Sequence, residues 1–439
     1  MFKPTCSAVA ALVAAMVTAS CSPGASSPRS DAGWITGPPN LRNMTALVAV
    51  KPPPRIQQIL EAGAEQTDDE RVAGLLRAEA GGGFGSGFLV VTERKPGQRH
   101  TFVVTNRHVV DSGMDADVSF NNGSSFAHSR ILYIHPTQDI AVLQLKGQAP
   151  VPYGFGLVQK TPPERTLVVA TGFPALGGRP SFQTTQGIVS NSEFHYEDAP
   201  AGTYLIQHTA PTDPGSSGGP LTDDGGHVIG VNVALAEGRQ NANFAVPAAA
   251  VKEAIDGAEE VLAQEHNPAW LKKNMLSACS SFVRDVRRQN WAGVYASVGL
   301  DFTASEGPAI FDVLYENSTG DDHQKFTDMF VKDPVMAYRI ALLIDLDSIL
   351  SERGGVPADA ACDEVNPVDL ENVGQGGSVR VGVTTAKGDL QLAFAFERGA
   401  FRLMGGEGMG AEPLAKSIAA KKKAEAAPAK PAAKPKGKK

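Results

Sequence analysis

Thr212-Asp213-Pro214-Gly215-Ser216-Ser217-Gly218-Gly219-Pro220-Leu221 is the segment of this chain that says most about its architecture. Glycine and proline at this density keep the backbone out of a helix. The segment is nevertheless too compact for a linker, because strand-like apolar runs flank it: Tyr204-Leu205-Ile206 before and His227-Val228-Ile229-Gly230-Val231 after. A serine in a tight glycine turn offers an exposed hydroxyl, with backbone N–H groups converging on one small concavity. A nucleophile needs that arrangement when the oxygen of its target becomes negative. Ser217 supplies the hydroxyl, and the amides of Gly215 and Ser217 are the candidate donors, since Gly215 adopts dihedrals closed to other residues. A structural turn is the competing interpretation. The two are separated by whether a histidine and an acid stand elsewhere in the chain to activate the serine.

Both stand upstream. Thr101-Phe102-Val103-Val104-Thr105-Asn106-Arg107-His108-Val109-Val110 is a buried-strand pattern running straight into His108. Ile134-His135-Pro136-Thr137-Gln138-Asp139-Ile140-Ala141-Val142-Leu143-Gln144-Leu145 places Asp139 at the head of an apolar strand, where an acid needs a partner to be tolerated and a histidine N–H is a suitable one. The order is therefore His108, Asp139, Ser217, with spacings of 31 and 78 residues.

These segments resemble the trypsin-fold serine peptidases, and specifically the bacterial HtrA-like branch. The resemblance rests on the Gly-x-Ser-Gly-Gly-Pro form at 215–220, its lead-in Gln207-His208-Thr209-Ala210-Pro211, the Thr-Asn-x-His-Val-Val run around His108 and Asp-Ile-Ala-Val-Leu at 139–143. Gly83-Phe84-Gly85-Ser86-Gly87-Phe88, Ala170-Thr171-Gly172-Phe173-Pro174, Gly187-Ile188-Val189-Ser190, Gly230-Val231-Asn232 and Asn243-Phe244-Ala245-Val246-Pro247 add to it. It covers roughly residues 41–255. It implies an all-β double-barrel (trypsin-like) peptidase domain over 41–265, with Thr45 to Val50 as a first strand. A helically spaced insertion near 52–80 stands where HtrA-like peptidases carry a regulatory loop, although a plain surface insertion is the safer expectation. It further implies His108, Asp139 and Ser217 as a catalytic triad, with the oxyanion held by Gly215 and Ser217. No cofactor and no metal follow from it. Gly83–Phe88 also lacks the Gly-Lys-Ser/Thr ending of a phosphate loop.

The other histidines are placed differently: His135 lies in the approach to a strand, and His208 lies nine residues before Ser217 and lines the second barrel. Six residues before the nucleophile, where a trypsin-like enzyme would carry an acid, stands Pro211. Asp213 shapes the loop. With Val233 and Ala234 on the neighbouring strand, the expected substrate pocket is small to medium and apolar rather than one for Lys or Arg.

The remainder frames this domain. Residues 1–21 read as a secretion signal, Lys3 followed by the apolar run Ala8 to Val17, too short to span a bilayer. Thr18-Ala19-Ser20-Cys21 resembles a lipoprotein signal in which Cys21 carries the lipid, although Thr18 departs from the usual Leu. Residues 22–40 are a Ser/Pro/Gly-rich flexible tether. An exported chain in the periplasm, or attached to the outer membrane through Cys21, is the expectation. Outside the signal the only cysteines are Cys279 and Cys362, which in an exported protein are placed to form a disulfide worth about 4 kcal/mol by loop closure; two free thiols are the alternative.

Ala248 to Gln264 is a helix leaving the barrel. No PDZ domain follows, although HtrA-like proteins often carry one there. Residues 266–410 instead read as a separate α+β domain: helical stretches at Trp270–Arg288, Pro308–Tyr315 and Phe326–Leu350, then alternating runs at 378–383, 390–396 and 401–403. A cone-shaped fold like that of nuclear transport factor 2 is one candidate. Its acids Asp321, Asp322, Asp345 and Asp347 show no ligand spacing and read as solvated. Residues 411–439 are Ala, Lys and Pro without periodicity, and hence a disordered tail. From Lys416 onward that tail carries nine lysines against one glutamate. With a formal charge of −7 for the whole chain the body is strongly acidic, which argues against nucleic acid as a partner.

The resulting expectation is an exported serine endopeptidase acting on unfolded or extended polypeptide substrates in envelope protein quality control, with an oligomer left open. The rival is a catalytically silent, peptidase-fold binding or chaperone-like module. An esterase using the same acyl chemistry is a third reading. It fits less well because no helix follows the serine, as it would in an α/β-hydrolase.

Overall fold

The computed structural model describes residues 33–158, 160–176, 178–196, 202–233, 242–362, 370, 373 and 377–425. The expected signal and Cys21, most of the tether, Ala234 and the last residues of the tail lie outside the described residues.

Two closed six-stranded antiparallel barrels follow one another. In the first, β1 (Thr45–Val50), β2 (Gly83–Lys95), β3 (Gln98–Thr105), β4 (Asp115–Phe120), β5 (Ser125–Ile134) and β6 (Ala141–Gln144) run in the order β1-β2-β3-β6-β5-β4, and β4 returns to pair with β1. The second is built from β7 (Leu167–Gly172), β10 (Gln183–Phe194), β11 (Leu205–His208), β12 (Pro220–Thr222), β13 (Val228–Val233) and β14 (Asn243–Pro247), in the order β10-β11-β14-β13-β12-β7, and β7 returns to β10. Between β7 and β10 lies the short hairpin β8 (Ala175–Leu176) and β9 (Arg179–Pro180). Closure removes the unpaired edges that an open sheet of such strands would expose. β2 passes continuously from Gly83 into a buried stretch, so it pairs with both β1 and β3, matching Phe88 to Thr45 on one side and to Val104 on the other.

The helix Ala248–Gln264 leaves β14 where the sequence places it and lays Val251, Ala254, Ile255 and Ala258 on the apolar cluster of the first barrel. Beyond it come the helices Pro268–Arg287, Trp291–Ser297, Leu300–Asn317, Asp321–Lys332 and Pro334–Glu352. The antiparallel sheet β15 (Ser378–Thr385), β16 (Gly388–Glu397) and β17 (Ala400–Gly406) follows, giving an α+β arrangement. A disulfide joins Cys279 to Cys362 across 83 residues.

Four sequence expectations change. The single helical stretch Phe326–Leu350 is two helices, broken at Asp333: Pro334 cannot continue the preceding helix, and the Asp333 carboxylate caps the next one by accepting from Met336 N at 2.9 Å. The insertion near 52–80 forms the helices Pro54–Gln66 and Glu70–Gly81. Their apolar faces (Ile56, Leu60, Ala73, Leu76) belong to the same cluster as Phe311, Leu342 and Leu346 of the C-terminal helices, so this is no plain surface insertion. Asp345 is not solvated but 1% exposed; burial pushes its carboxyl up to about 6, and it accepts a hydrogen bond from Gly410 N at 2.9 Å. That bond sits at the start of the fourth correction, because residues 411–425 of the supposed disordered tail form the helix Ala411–Glu425. Ala, Leu, Lys and Glu are strong helix formers, and Leu414, 4% exposed, anchors the helix to the C-terminal core. Among the described residues no helix is long and apolar enough to cross a membrane.

Candidate active site

His108 sits on a single helical turn, Arg107–Val110, that begins as β3 ends. Asn106 stands at the N-cap without capping the turn. Its side-chain Nδ2 instead donates to the Asp139 carbonyl oxygen at 2.8 Å, tying the end of β3 to the bend that precedes β6. Asp139 grips His108 twice: Oδ1 accepts from the His108 backbone N at 3.0 Å and Oδ2 lies 2.7 Å from Nδ1. A carboxylate can only accept, so Nδ1 carries the hydrogen and Nε2 presents its lone pair outward. Burial would lower the His108 pKa; the hydrogen bond and charge of Asp139, together with the charge of Asp111, outweigh it and hold the imidazole above its ordinary value.

The serine loop is built from glycines that nothing else could replace. Gly215 and Gly218 have φ of +99° and +86°, in the region that favours glycine. A Cβ on Gly218 would come within 2.1 Å of the Ser86 carbonyl and 2.4 Å of Thr105 Oγ1, so the loop presses directly on the strand end that carries His108. Backbone bonds close the turn: Ser216 N donates to Asp213 O at 2.9 Å, Gly219 N to Ser216 O at 3.1 Å, and Gly218 N to Asn232 O at 2.9 Å on β13. Ser217 is 8% exposed. Gly85 brings the two halves of the site together, since a side chain there would strike Val109 at 2.6 Å on one side and the Ser217 carbonyl at 2.9 Å on the other. The residue after His108 and the nucleophile loop thus rest on the same glycine.

Ser86, which sequence reasoning passed over inside the Gly-Ser-Gly run, is the main bridge between the barrels. Its N donates to Ser217 O at 2.7 Å, its Oγ donates to Gly215 O at 2.7 Å, and the same Oγ accepts from Phe173 N at 2.8 Å. No local signal marks it, because its partners lie 87 to 131 residues away. Ser86→Ala should leave the buried Phe173 N–H unpaired and free the Gly215 carbonyl, costing about 1–3 kcal/mol of stability. Thermal melting checks the stability loss, and a matching loss of turnover is expected as the Gly215 peptide loses its orientation.

The remaining expected residues fall differently. Pro211 lines a narrow crevice with Thr171, Gly172, Gln183, Thr185 and Ser216; Val233 is not among its walls, and Ala234 lies outside the described residues. Asp213 contributes its backbone to the turn and does not line that crevice. Val233 packs, 8% exposed, into the apolar cluster. His135 accepts from Thr137 N and Gln138 N through Nδ1 and meets Glu253 through Nε2, a structural role. His208 is fully buried in β11, and burial pushes its pKa down to about 4. Among the described residues no cluster of His, Cys, Asp and Glu is arranged to hold a metal ion.

The profile of the trypsin-like peptidase domain family matches residues 85–231, which run from the glycine beside Ser217 to the strand that pairs with its loop. The double barrel is similar to the HtrA-like, trypsin-fold serine peptidases. A DegP-like periplasmic serine endoprotease of Bartonella henselae is 34% identical to this peptidase domain over 179 residues, covering 39% of this chain and 32% of that protein. One from Chlamydia trachomatis is 29% identical over 180 residues, covering 39% and 33%. Among solved structures, the serine endoprotease from Yersinia pestis is 20% identical with a TM-score of 0.35, covering 50% of this chain and 63% of that one. A protease from M. tuberculosis in its active form is 19% identical with a TM-score of 0.36, covering 52% and 91%. This chain spans about a third of the length of the curated relatives it matches.

Proposed function

We propose that this chain is an exported serine endopeptidase that hydrolyses unfolded or extended polypeptides and serves protein quality control in the envelope. The observation that carries the reading is the double grip of Asp139 on His108, 2.7 Å to Nδ1 and 3.0 Å from the backbone N, beside a serine loop seated on the same glycine. Ser217 Oγ attacks the peptide carbonyl carbon while His108 Nε2 takes its proton, and Asp139 stabilises the resulting imidazolium. The carbonyl oxygen becomes negative and is met by the amides of Gly215 and Ser217, each such donor worth about 3 kcal/mol. As the C–N bond breaks, His108 returns the proton to the leaving amine, giving an ester on Ser217. Water, deprotonated by His108, attacks that ester; the acid product leaves and Ser217 regains its hydrogen. Pro211, standing where an acid would select Lys or Arg, supports an apolar side chain of small to medium size at the bond being cleaved. The periplasmic relatives and the signal-like N-terminus support export, and Cys21 is the proposed point of lipid attachment.

Covalent labelling by a fluorophosphonate, with the adduct mapped to Ser217, tests the assignment; absence of any adduct on the folded protein would favour the silent binding module. The pH dependence is a second check. His108 must be neutral to act as base, and its pKa is held above the ordinary 6.5, so kcat/KM should fall as pH drops through a value above 6.5. A profile whose acid limb inflects at or below 6.5 would contradict the Asp139 and Asp111 contributions.

A further inference from the structure

The turn that carries His108 ends at Asp111, which is held by the C-terminal domain rather than by the barrels. Arg339, on the helix Pro334–Glu352 and 1% exposed, places Nη1 3.0 Å from Asp111 Oδ2. Its Nε and Nη2 have no hydrogen-bond partner among the described residues, and its guanidinium lies 4.7 Å over the Tyr295 ring. Arg398 approaches the same carboxylate from the β16–β17 turn, with Nη1 3.8 Å from Oδ1, and donates to the Asp111 carbonyl at 3.3 Å. That turn is built for the approach: Arg398 has φ of +51° and Gly399 +80°, and a side chain on Gly399 would meet the Leu132 carbonyl of β5 at 2.5 Å. Glu397 completes the cluster by pairing with Arg398 Nε at 3.1 Å and accepting from Leu300 N at 3.0 Å. Arg107 and Arg402 are the other charges that bear on this group.

Two buried arginines from one domain converging on one carboxylate of another do little for stability, because desolvating the charges costs about as much as their attraction returns. They do fix geometry, since a buried carboxylate held by directed N–H bonds has few positions open to it. Resting on the peptidase reading above, we propose that Asp111 is a positioning residue for His108, and that the C-terminal domain, through Arg339 and Arg398, holds the histidine turn in register with Asp139 and Ser217. The domain at 268–406 is thereby a built-in brace of the active site, reaching it through the end of the histidine turn. Burial would raise the Asp111 carboxyl; the charges of Arg339, Arg398 and Arg107 and the Arg339 hydrogen bond outweigh it and hold it down to about 2, so the contact persists through the whole range in which His108 titrates.

The test uses the full chain and compares wild type with Arg398→Met and Arg339→Lys. Three readings are taken below the melting temperature of each: fluorophosphonate labelling rate, kcat and KM on unfolded casein. Loss of the brace should lower kcat and the labelling rate of Arg398→Met about 10-fold to 100-fold with KM little changed, the scale expected when a catalytic group is misplaced by a fraction of an ångström to an ångström. Arg339→Lys, which keeps the charge, should retain most of the wild-type rate. Should Arg398→Met fail to fold, Asp111→Asn combined with Arg339→Gln removes both charges of that pair while keeping hydrogen-bonding groups, and the same loss of kcat is expected. A merely structural cluster would lower the melting temperature and leave kcat of the folded variants unchanged. That outcome, with wild type labelled at Ser217, overturns the brace alone; a wild type that is never labelled overturns the peptidase reading and the brace with it.

Discussion

Ser217→Ala should cut hydrolysis of unfolded casein by about six orders of magnitude in kcat, the scale seen when a triad nucleophile is removed. The fold should survive, because the loop is held by its backbone: Ser86 N on the Ser217 carbonyl, Gly218 N on Asn232, and glycine contacts that leave no room for any other residue. Loss of one hydroxyl touches none of these. Activity assays on matched, folded samples of wild type and variant decide the matter, and equal turnover would refute the peptidase assignment. Because the chain spans about a third of the length of its curated relatives, this result bears on more than one residue: it asks whether the barrel pair works with this C-terminal domain behind it.

Asp139→Asn is expected to lower kcat about 10⁴-fold while leaving substrate binding nearly intact. In the wild type both carboxylate oxygens accept from His108, one from Nδ1 and one from the backbone N. An amide keeps one acceptor and turns the other position into a donor. If the oxygen stays on the backbone N–H, the NH2 faces Nδ1, and the imidazole must place its hydrogen on Nε2, where the lone pair is needed to take the proton of Ser217. If the amide turns over, the backbone N–H of His108 is left facing a donor. The first arrangement disarms the base without a change in shape; the second keeps the tautomer but sets donor against donor at the His108 backbone N–H, which disfavours it. A kcat and KM determination across pH 6–9 checks this, and a variant with wild-type kcat would show that Asp139 does not set the His108 tautomer.

The distribution of legible and illegible residues follows from how far each one reaches. The strand Thr45–Val50, the helix Ala248–Gln264 and the three C-terminal strands stood where periodicity placed them, since a period of two or 3.6 is a property of a local run. The boundary at Asp333 is hidden inside a continuous apolar pattern, although Pro334 marks it. Asp345 reads as solvated in the sequence because an acid in a run of Leu, Ile and Asp carries no sign of which helix face it occupies; the face is set by what packs above it, here Gly410 and the helix that follows. The helices Pro54–Gln66 and Glu70–Gly81 were recognised as helical but not as part of the C-terminal core, because amphipathicity says that a face is buried and not against what.

By itself the sequence pointed to two barrels, through its resemblance to the trypsin-fold peptidases, and to His108, Asp139 and Ser217 as the candidate site, because the motifs that carry them are local: glycines where φ must be positive, an asparagine and histidine at the end of a buried strand, an acid at the head of the next. The tertiary structure alone decided what holds those residues to one another. Ser86 joins the barrels through partners far along the chain, Gly85 seats the histidine turn and the serine loop together, and Arg339 and Arg398 reach Asp111 across 228 and 287 residues. The physical reason is that a turn's dihedrals depend on a few neighbouring side chains, whereas a buried hydrogen bond or ion pair depends on which surfaces meet once the whole chain has closed.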